Sequence, residues 1–412
     1  MVKENTMKQT EIGLLPEDWN VVNLNEVSKI SSSKRIFESD YVPYGIPFYR
    51  GKEISLLMQN KTIDEPFYIS EAKYFSLANK YGYPKYGDLL ITAVGTLGNI
   101  YCIGNDEKFY FKDGNLIWIN NVIQNSKFLK IALDYNKQQI LDNAIGSSQK
   151  ALTINSLSIT KIPLPPLSEQ KAIAEALSDA DAWIESLEQL IAKKRLIKQG
   201  AMQELLTPKE DWEVKNIKEI TNNIIDYRGV TPKKLGMEWG NGNIVALSAG
   251  NVKKGYIDFN SECYFGSEEL YKRWMRNGNP KKNDIVFTLE APLGNVALLP
   301  NNDKYILSQR TILLQLSEKF NPNFIFQILL SNKFQNYILE SATGSTAQGI
   351  KRQVFEKLLV TVPKSLTEQT RIATILSDMD AELEALEGQL RKARKVKQGM
   401  MQGLLTGRVR LV

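Results

Sequence analysis

Residues 167–207 read LSEQKAIAEALSDADAWIESLEQLIAKKRLIKQGAMQELLT, and residues 366–406 read LTEQTRIATILSDMDAELEALEGQLRKARKVKQGMMQGLLT. They are two copies of one segment, 366 − 167 = 199 residues apart. In the first copy Ile173, Leu177, Ala180, Ile184, Leu187 and Ile191 recur at alternating spacings of four and three. In the second Ile372, Leu376, Met379, Leu383, Leu386, Leu390 and Ala393 do the same. That spacing predicts a heptad seam on a long helix. Ser168 and Thr367 are candidate N-caps, each followed by a Glu that suits the first turn. Pro165 and Pro166 close the segment before the first rod, and Pro208 and Gly407 stop the two rods. Roughly 38 residues at ~1.5 Å each predict a helix of about 57 Å.

Charge predicts how the rods pair. Glu169, Glu175, Asp179, Asp181, Glu185 and Glu188 occupy the first half of rod one, and Lys193, Lys194, Arg195 and Lys198 the second. Rod two repeats the order, with Glu368, Asp378, Asp380, Glu382, Glu384 and Glu387 before Arg391, Lys392, Arg394, Lys395 and Lys397. Parallel rods set acid against acid, whereas antiparallel rods set each acidic half along a basic one. Single exposed pairs contribute only ~0–1 kcal/mol, yet every part of the pattern favours an antiparallel coiled coil within one chain. The alternatives are two solvated helices on separate domains, or a seam that joins two chains.

The repeat extends beyond the rods. DWNVVNLNEV at Asp18 returns as DWEVKNIKEI at Asp211, and YGDLLITAVGTLGNIYCI at Tyr86 as KNDIVFTLEAPLGNVALL at Lys282. GSSQKAL at Gly146 is answered by GSTAQGI at Gly344. The chain is a duplicated unit, a variable globular part followed by a rod, twice over. FYRGKEI, DLLITAVGTLGNIYCI, NIVALSAGNV and DIVFTLEAPLGNVALL are β-prone runs broken by Gly and Asn. Residues 126–144 and 323–342 have the pattern of amphipathic helices, and ITKIPLPPL and LLVTVPKSL that of short strands. The expected fold class is α+β. Two mixed, β-rich globular domains with helices are joined by two long antiparallel coiled-coil helices in a pseudo-two-fold repeat. The expected segments are 1–165, 166–207, 208–364 and 365–412.

Composition narrows the chemistry. A chain of 412 residues with 43 % hydrophobic and 24 % charged content fits a soluble protein of two or more domains. No stretch approaches the ~20 apolar residues of a membrane span. The opening MVKENTMKQTEIGLLPEDW has no apolar signal core, so a cytoplasmic location is expected. The net charge of +6 permits nucleic acid as a partner without requiring it. There is no histidine, which excludes Ser-His-Asp and Cys-His nucleophiles and His-containing zinc sites. Cys102 and Cys263 are too few for a Cys-only zinc site and are expected to be buried reduced thiols. Carboxylate–Mg²⁺ chemistry stays open. An amino-methyltransferase motif of the Asn/Asp-Pro-Pro-aromatic type and a phosphate-binding Gly-x₄-Gly-Lys-Ser/Thr loop are both absent. GTLGN at Gly95 and WGNGN at Gly240 are turns outside any dinucleotide-binding context.

A two-fold object with a fixed spacer matches duplex DNA. At ~3.4 Å per base pair, rods of about 57 Å span about 17 base pairs. Here the residues resemble a known family. IGLLPEDWNVVNL, the two DLL/DIV…LGN segments, the PLPPLSEQ and KSLTEQ entries and both KQGxMQxLLT endings resemble the DNA specificity (S) subunit of type I restriction-modification systems. The resemblance covers residues 12–406, in the order target recognition domain, helix, target recognition domain, helix. It implies a non-catalytic subunit that binds two copies of an adenine-N6 methyltransferase modification subunit. The subunit directs them, and ATP-dependent restriction subunits with translocase and nuclease activity, to a bipartite asymmetric site on double-stranded DNA. No cofactor is then expected in this chain, because S-adenosylmethionine, ATP and Mg²⁺ belong to the partner subunits. The other function classes are a coiled-coil scaffold that holds protein partners without DNA, and a stand-alone nuclease or methyltransferase.

Phosphate contacts need Lys, Arg and small polar donors, and base reading needs similar groups on loops. Three places in each half supply them. The early loop offers Ser33, Lys34 and Arg35, and Tyr227, Arg228, Thr231, Lys233 and Lys234. The strand end offers Tyr49, Arg50 and Lys52, and Ser248 and Asn251. The glycine turn offers Ser147, Ser148, Gln149 and Lys150, and Ser345, Thr346, Gln348, Lys351 and Arg352. Each group competes with an ordinary solvated loop. For partner docking the candidates are Met202, Leu205, Leu206, Met401, Leu404 and Leu405, which exceed what a two-helix seam buries. The alternative for these six is packing on the chain's own globular parts.

Overall fold

Both repeated segments are single uninterrupted helices, rod one over Leu167–Leu205 and rod two over Leu366–Leu405. They are seen in a computed structural model that describes residues 6–59, 61–146, 150–308, 310–344 and 348–411. The helices start one residue before Ser168 and Thr367, so neither is an N-cap. Before rod two the cap is Ser365, whose hydroxyl accepts the Glu368 N–H at 3.4 Å. All the predicted seam residues are buried or half-buried, and none is exposed.

The chain divides into two compact units, Met1–Leu187 with Gln389–Val412, and Glu188–Gly388. Each contains one globular part, the start of one rod and the end of the other. Within each unit the two rod segments are antiparallel. In the first, Lys397 from the end of rod two pairs with Asp181 near the start of rod one. In the second, Lys194, Arg195 and Lys198 pair with Glu382, Glu387 and Asp380. The acid-first, base-last order is thus used in both units.

The globular parts share a plan. In the first unit an antiparallel sheet runs Lys29–Ser31, Leu116–Asn120, Leu89–Thr92, Ile100–Cys102. The second unit has Thr221–Asp226, Thr311–Leu316, Ile285–Thr288, Val296–Leu298 in the same order. A second sheet in each contains one parallel pair, Ile46–Tyr49 with Tyr110–Phe111, and Ile244–Leu247 with Tyr305–Leu307. The strand before each rod pairs with the strand after the Asp-Trp motif, Lys161–Leu164 with Asn20–Asn23, and Leu359–Pro363 with Trp212–Asn216.

Three segments differ from the sequence pattern. FYRGKEI is strand only to Tyr49, and Gly51–Leu57 is helix. The Glu53 carboxylate accepts the Arg50 N–H at 2.8 Å and so starts that helix. The predicted helices over 126–144 and 323–342 are each two helices. They are Ser126–Tyr135 and Lys137–Asp142, and Pro322–Leu330 and Asn332–Ser341. The breaks fall at Asn136 and Ser331, polar residues whose side chains compete for helix hydrogen bonds. Neither cysteine is fully buried; both are half-buried and free. Burial pushes the Cys102 thiol above its ordinary pKa.

The Glu-Gln of each rod entry ties the rod to its globular part. Gln170 accepts the Asn125 N–H at 3.1 Å and donates to the Pro165 carbonyl at 2.9 Å. Gln369 accepts the Asn321 N–H at 2.8 Å and donates to the Pro363 carbonyl at 2.9 Å. Asn125 and Asn321 are themselves the N-caps of the adjoining helices. The preceding glutamates part company. Glu169, fully buried, accepts the Trp19 indole N–H at 3.0 Å and two Arg410 bonds at 2.6 and 2.8 Å. Arg410 also reaches both oxygens of Asp18, at 2.9 and 2.8 Å. In the second unit the half-buried Glu368 pairs instead with Lys209 at 2.8 Å.

Candidate nucleic-acid interface

In the second unit the strand Thr221–Asp226 ends on a carboxylate that gathers two of the candidate loops. Arg228 Nε lies 3.0 and 3.1 Å from the two Asp226 oxygens, and its Nη2 2.8 Å from one of them. Arg352 Nη1 approaches the same carboxylate at 4.0 Å, and Arg352 Nε bonds Glu356 at 2.6 Å. Burial acts to raise the Asp226 carboxyl, but the Arg228 bonds and the two guanidinium charges outweigh it and hold the group below its ordinary pKa. The early loop and the glycine turn, 124 positions apart at Arg228 and Arg352, are therefore one surface. Arg310, absent from the sequence-based candidates, stands at its edge, 3.9 Å from Glu290, whose charge also acts on Arg228. It has φ of 71°, a conformation rare for a residue with a side chain. No local pattern marks it, because its relevance comes from a turn brought in by the sheet.

Lys233, Lys234, Gln348 and Lys351 are exposed beside these groups. Thr231 spends its hydroxyl capping the Lys234 N–H, at 3.3 Å. Two candidates are corrected. Tyr227 is buried, and its hydroxyl accepts the Asn277 N–H at 2.6 Å. Asn251 is fully buried, accepts the Ser248 N–H at 2.8 Å, and donates to the Ala246 carbonyl at 2.9 Å and to Cys263 Sγ at 3.2 Å. Both polar groups are buried and hold the domain's own backbone. Ser248 is half-buried and accepts the Gly250 N–H at 3.2 Å. Ser345 and Thr346 lie outside the described residues, as do Ser147, Ser148 and Gln149 in the first unit.

In the first unit Lys34, Arg35, Lys52 and Lys150 are exposed. Arg35 pairs with Asp113 at 3.2 Å. The Ser33 hydroxyl is a buried oxygen with no hydrogen-bond partner among the described residues. Tyr49 is half-buried and stacks on Phe109 with centroids 4.9 Å apart. Arg50 is committed to Glu53, at 3.1 and 2.7 Å, with its guanidinium 4.3 Å from the Phe67 ring centre. Of the strand-end group, Lys52 alone is an exposed cation without an ion-pair partner among the described residues.

Of the six apolar docking candidates, Leu404 and Leu405 are corrected as an outward face, and Met202, Leu205, Leu206 and Met401 are half-buried. Leu404 and Leu405 are buried in a core with Trp19, Phe128, Ile173 and Leu177, and Met401 packs against it. Met202, Leu205 and Leu206 pack on the second unit's core beside Ile372 and Leu376. Each rod ends against a globular part of its own unit, so that core takes the apolar surplus a two-helix seam leaves. The large apolar side chains that the rods do expose are Trp183 and Val396 in the first unit and Leu190, Leu196 and Ile197 in the second, besides the entry residues Leu167 and Leu366. Among the described residues no helix is long and apolar enough to cross a membrane.

A family described as the type I restriction modification DNA specificity domain matches the chain twice, at residues 16–194 and 209–393. The type I restriction enzyme MjaVIII specificity subunit of Methanocaldococcus jannaschii is 26 % identical over 440 residues, covering 99 % of this chain and 97 % of that protein. The EcoBI specificity subunit of Escherichia coli is 25 % identical over 310 residues, covering 68 % and 64 %. Among solved structures, the S subunit of a type I restriction-modification system from M. genitalium superposes with a TM-score of 0.59. It has 15 % identity and covers 94 % of this chain and 96 % of that one.

Proposed function

The chain belongs to the type I restriction-modification DNA specificity family, and from that premise we propose how its parts divide the work. As a specificity subunit it is not an enzyme; it supplies the DNA recognition of a restriction-modification complex, with DNA and the other subunits of that complex as partners. Each unit reads one half of a bipartite asymmetric site. The observation that carries this division is the twofold family match, at 16–194 and 209–393, over two domains with the same sheet order and different surface loops. In the second unit the reading surface is the Arg228–Asp226–Arg352 cluster with Lys351 and Gln348. In the first it is Lys34, Arg35, Lys52 and Lys150. The rods form the coiled-coil spacer of a pseudo-two-fold molecule, and their exposed apolar side chains dock two modification subunits that use S-adenosylmethionine. Restriction subunits that use ATP and Mg²⁺ join that complex, which works in the cytoplasm.

The test is a methylome. The chain is expressed with the modification subunit encoded beside it, in a host without other adenine methylation. Methyl-adenine at one split motif, lost when this chain is omitted, is the expected result. No new methylation from a complex shown to assemble would sink the assignment and leave a protein scaffold in its place.

A further inference from the structure

Between the helix that crosses each domain and the first strand of its hairpin lies a loop that none of the candidate groups includes. Counting in Lys80 and Tyr81, the last two residues of the helix Glu71–Tyr81, it is Lys80-Tyr81-Gly82-Tyr83-Pro84-Lys85-Tyr86 in the first unit; in the second, after the helix Glu268–Trp274, it is Arg276-Asn277-Gly278-Asn279-Pro280-Lys281-Lys282, at a constant offset of 196. Two hydrogen bonds are common to both frames. Asp88 accepts the Lys85 N–H at 3.0 Å, and Asp284 accepts the Lys281 N–H at 2.9 Å. The N–H of Tyr86 reaches Asp106 at 3.3 Å, and that of Lys282 reaches Asn302 at 2.8 Å. Gly82 and Gly278 both have positive φ, 87° and 138°. A side chain at either position would press on the domain, 3.2 Å from the Trp118 ring and 2.8 Å from Ile225. Pro84 and Pro280 are both buried.

On this common frame the outward positions fall into two classes. Lys80, Lys85, Arg276, Lys281 and Lys282 are exposed cations without an ion-pair partner among the described residues. Positive charge is thus kept at the first and sixth places in both units. The second and fourth places change outright, Tyr81 and Tyr83 against Asn277 and Asn279. The second residue of each loop also abuts the early loop, at neighbouring places in the repeat. The Lys34 ammonium lies 4.7 Å from the Tyr81 ring centre, and the Asn277 N–H bonds Tyr227. The Tyr81 ring carries a second ammonium, that of Lys80, at 5.3 Å. The Asn279 side chain is held by the Tyr271 hydroxyl at 2.9 Å, whereas the Asn277 side chain is exposed and makes no hydrogen bond among the described residues.

We propose that this Gly-x-Pro loop is a second DNA-reading element in each unit, with its cations on the phosphate backbone and its second residue directed at the bases. The inference rests on the specificity-subunit assignment. Five exposed cations outside any ion pair among the described residues, on two copies of one frame, fit a polyanion, and a charge kept while its neighbour varies fits sequence-independent grip beside sequence-dependent reading. The carboxamide of Asn277 has the donor and acceptor pair that suits adenine in the major groove. Tyr81 has no such pair, so the two half-sites differ at the position each loop reads.

Two measurements test it with the full chain in its complex. The first is binding to a random-sequence duplex across a salt series, for wild type and for Lys80→Ala with Lys85→Ala. The slope of log affinity on log salt is expected to fall by about two. An unchanged slope in a complex of unchanged melting temperature overturns the proposal, whatever the methylome shows. The second is the methylome of Asn277→Ala, expected to accept any base at one position of one half-site and to leave the other half-site intact. A motif identical to wild type removes the base-reading part. A wild-type complex that grips DNA through this loop yet methylates no split motif counts against the specificity assignment and not against the loop.

Discussion

Asp226 and its two arginines show how much of a recognition surface is decided by one buried group. Its carboxylate is about one-tenth exposed, and Arg228 satisfies both oxygens. Arg228→Ala should therefore cost about 1–3 kcal/mol of the second unit's stability, because a buried acceptor loses its partner. The pH dependence has a definite sign. The folded pKa of Asp226 is depressed, so its contribution is present above the ordinary aspartate value near ~3.9 and is lost as pH falls through the lowered value. The melting-temperature gap between wild type and Arg228→Ala should be widest near neutrality and close in acid. A gap that stays constant to pH 2 would mean that the pair adds nothing. In the sequence Arg228 is legible as a basic loop residue. Its partner is legible too, two positions away, but that Asp226 would be buried and shared with Arg352 is not, since burial depends on the sheet packed behind it. Asn251 fails the same way: a polar residue in a Gly-Asn turn reads as surface, and the fold spends all its hydrogen bonds inside.

At the scale of elements, the rods were legible because heptad spacing and charge order are properties of the chain itself. What the rod ends do was not. Lys-Gln-Gly-x-Met-Gln-x-Leu-Leu-Thr carries more apolar residues than a seam needs, a surplus that either a partner or the chain's own domain can absorb. The domain absorbs it. Leu405→Ala should cost about 2–5 kcal/mol, because the side chain is 2 % exposed in a core of large residues. Urea denaturation of the full chain checks this. Full stability of the variant would free Leu405 for the docking role and reverse its assignment to the core. Breaks at Asn136 and Ser331 were equally illegible, since the apolar face continues across each break and the interruption lies in the side-chain bonds of one polar residue.

At the largest scale, residues 12–21 and 400–411 share one core within the first unit. Gly407, with φ of 65°, turns the chain so closely past Pro16 and Trp19 that a side chain there would overlap the Pro16 ring. Arg410 then inserts between Asp18 and Glu169, and the guanidinium lies 5.7 Å from the Trp19 ring centre. Glu169 is fully buried, so Arg410→Ala leaves a charge inside the fold and should destabilise the first unit by about 3–5 kcal/mol. Hydrogen exchange should show faster opening around residues 12–24 and 167–177, with the second unit unchanged. Protection equal to wild type would show the clasp to be dispensable.

By itself the sequence determined the duplication, the helical rods with their antiparallel charge order, and the absence of histidine-based chemistry. These are features of spacing and composition, carried by residues close together or in register along the chain. Tertiary structure alone decided which polar groups stay free to meet DNA. Freedom depends on whether a partner arrives from elsewhere, as Asp226 receives Arg352, Asn277 meets Tyr227, and Glu169 receives Arg410 from 241 residues away. Such pairings follow from packing over long sequence distances, for which a local pattern has no signal.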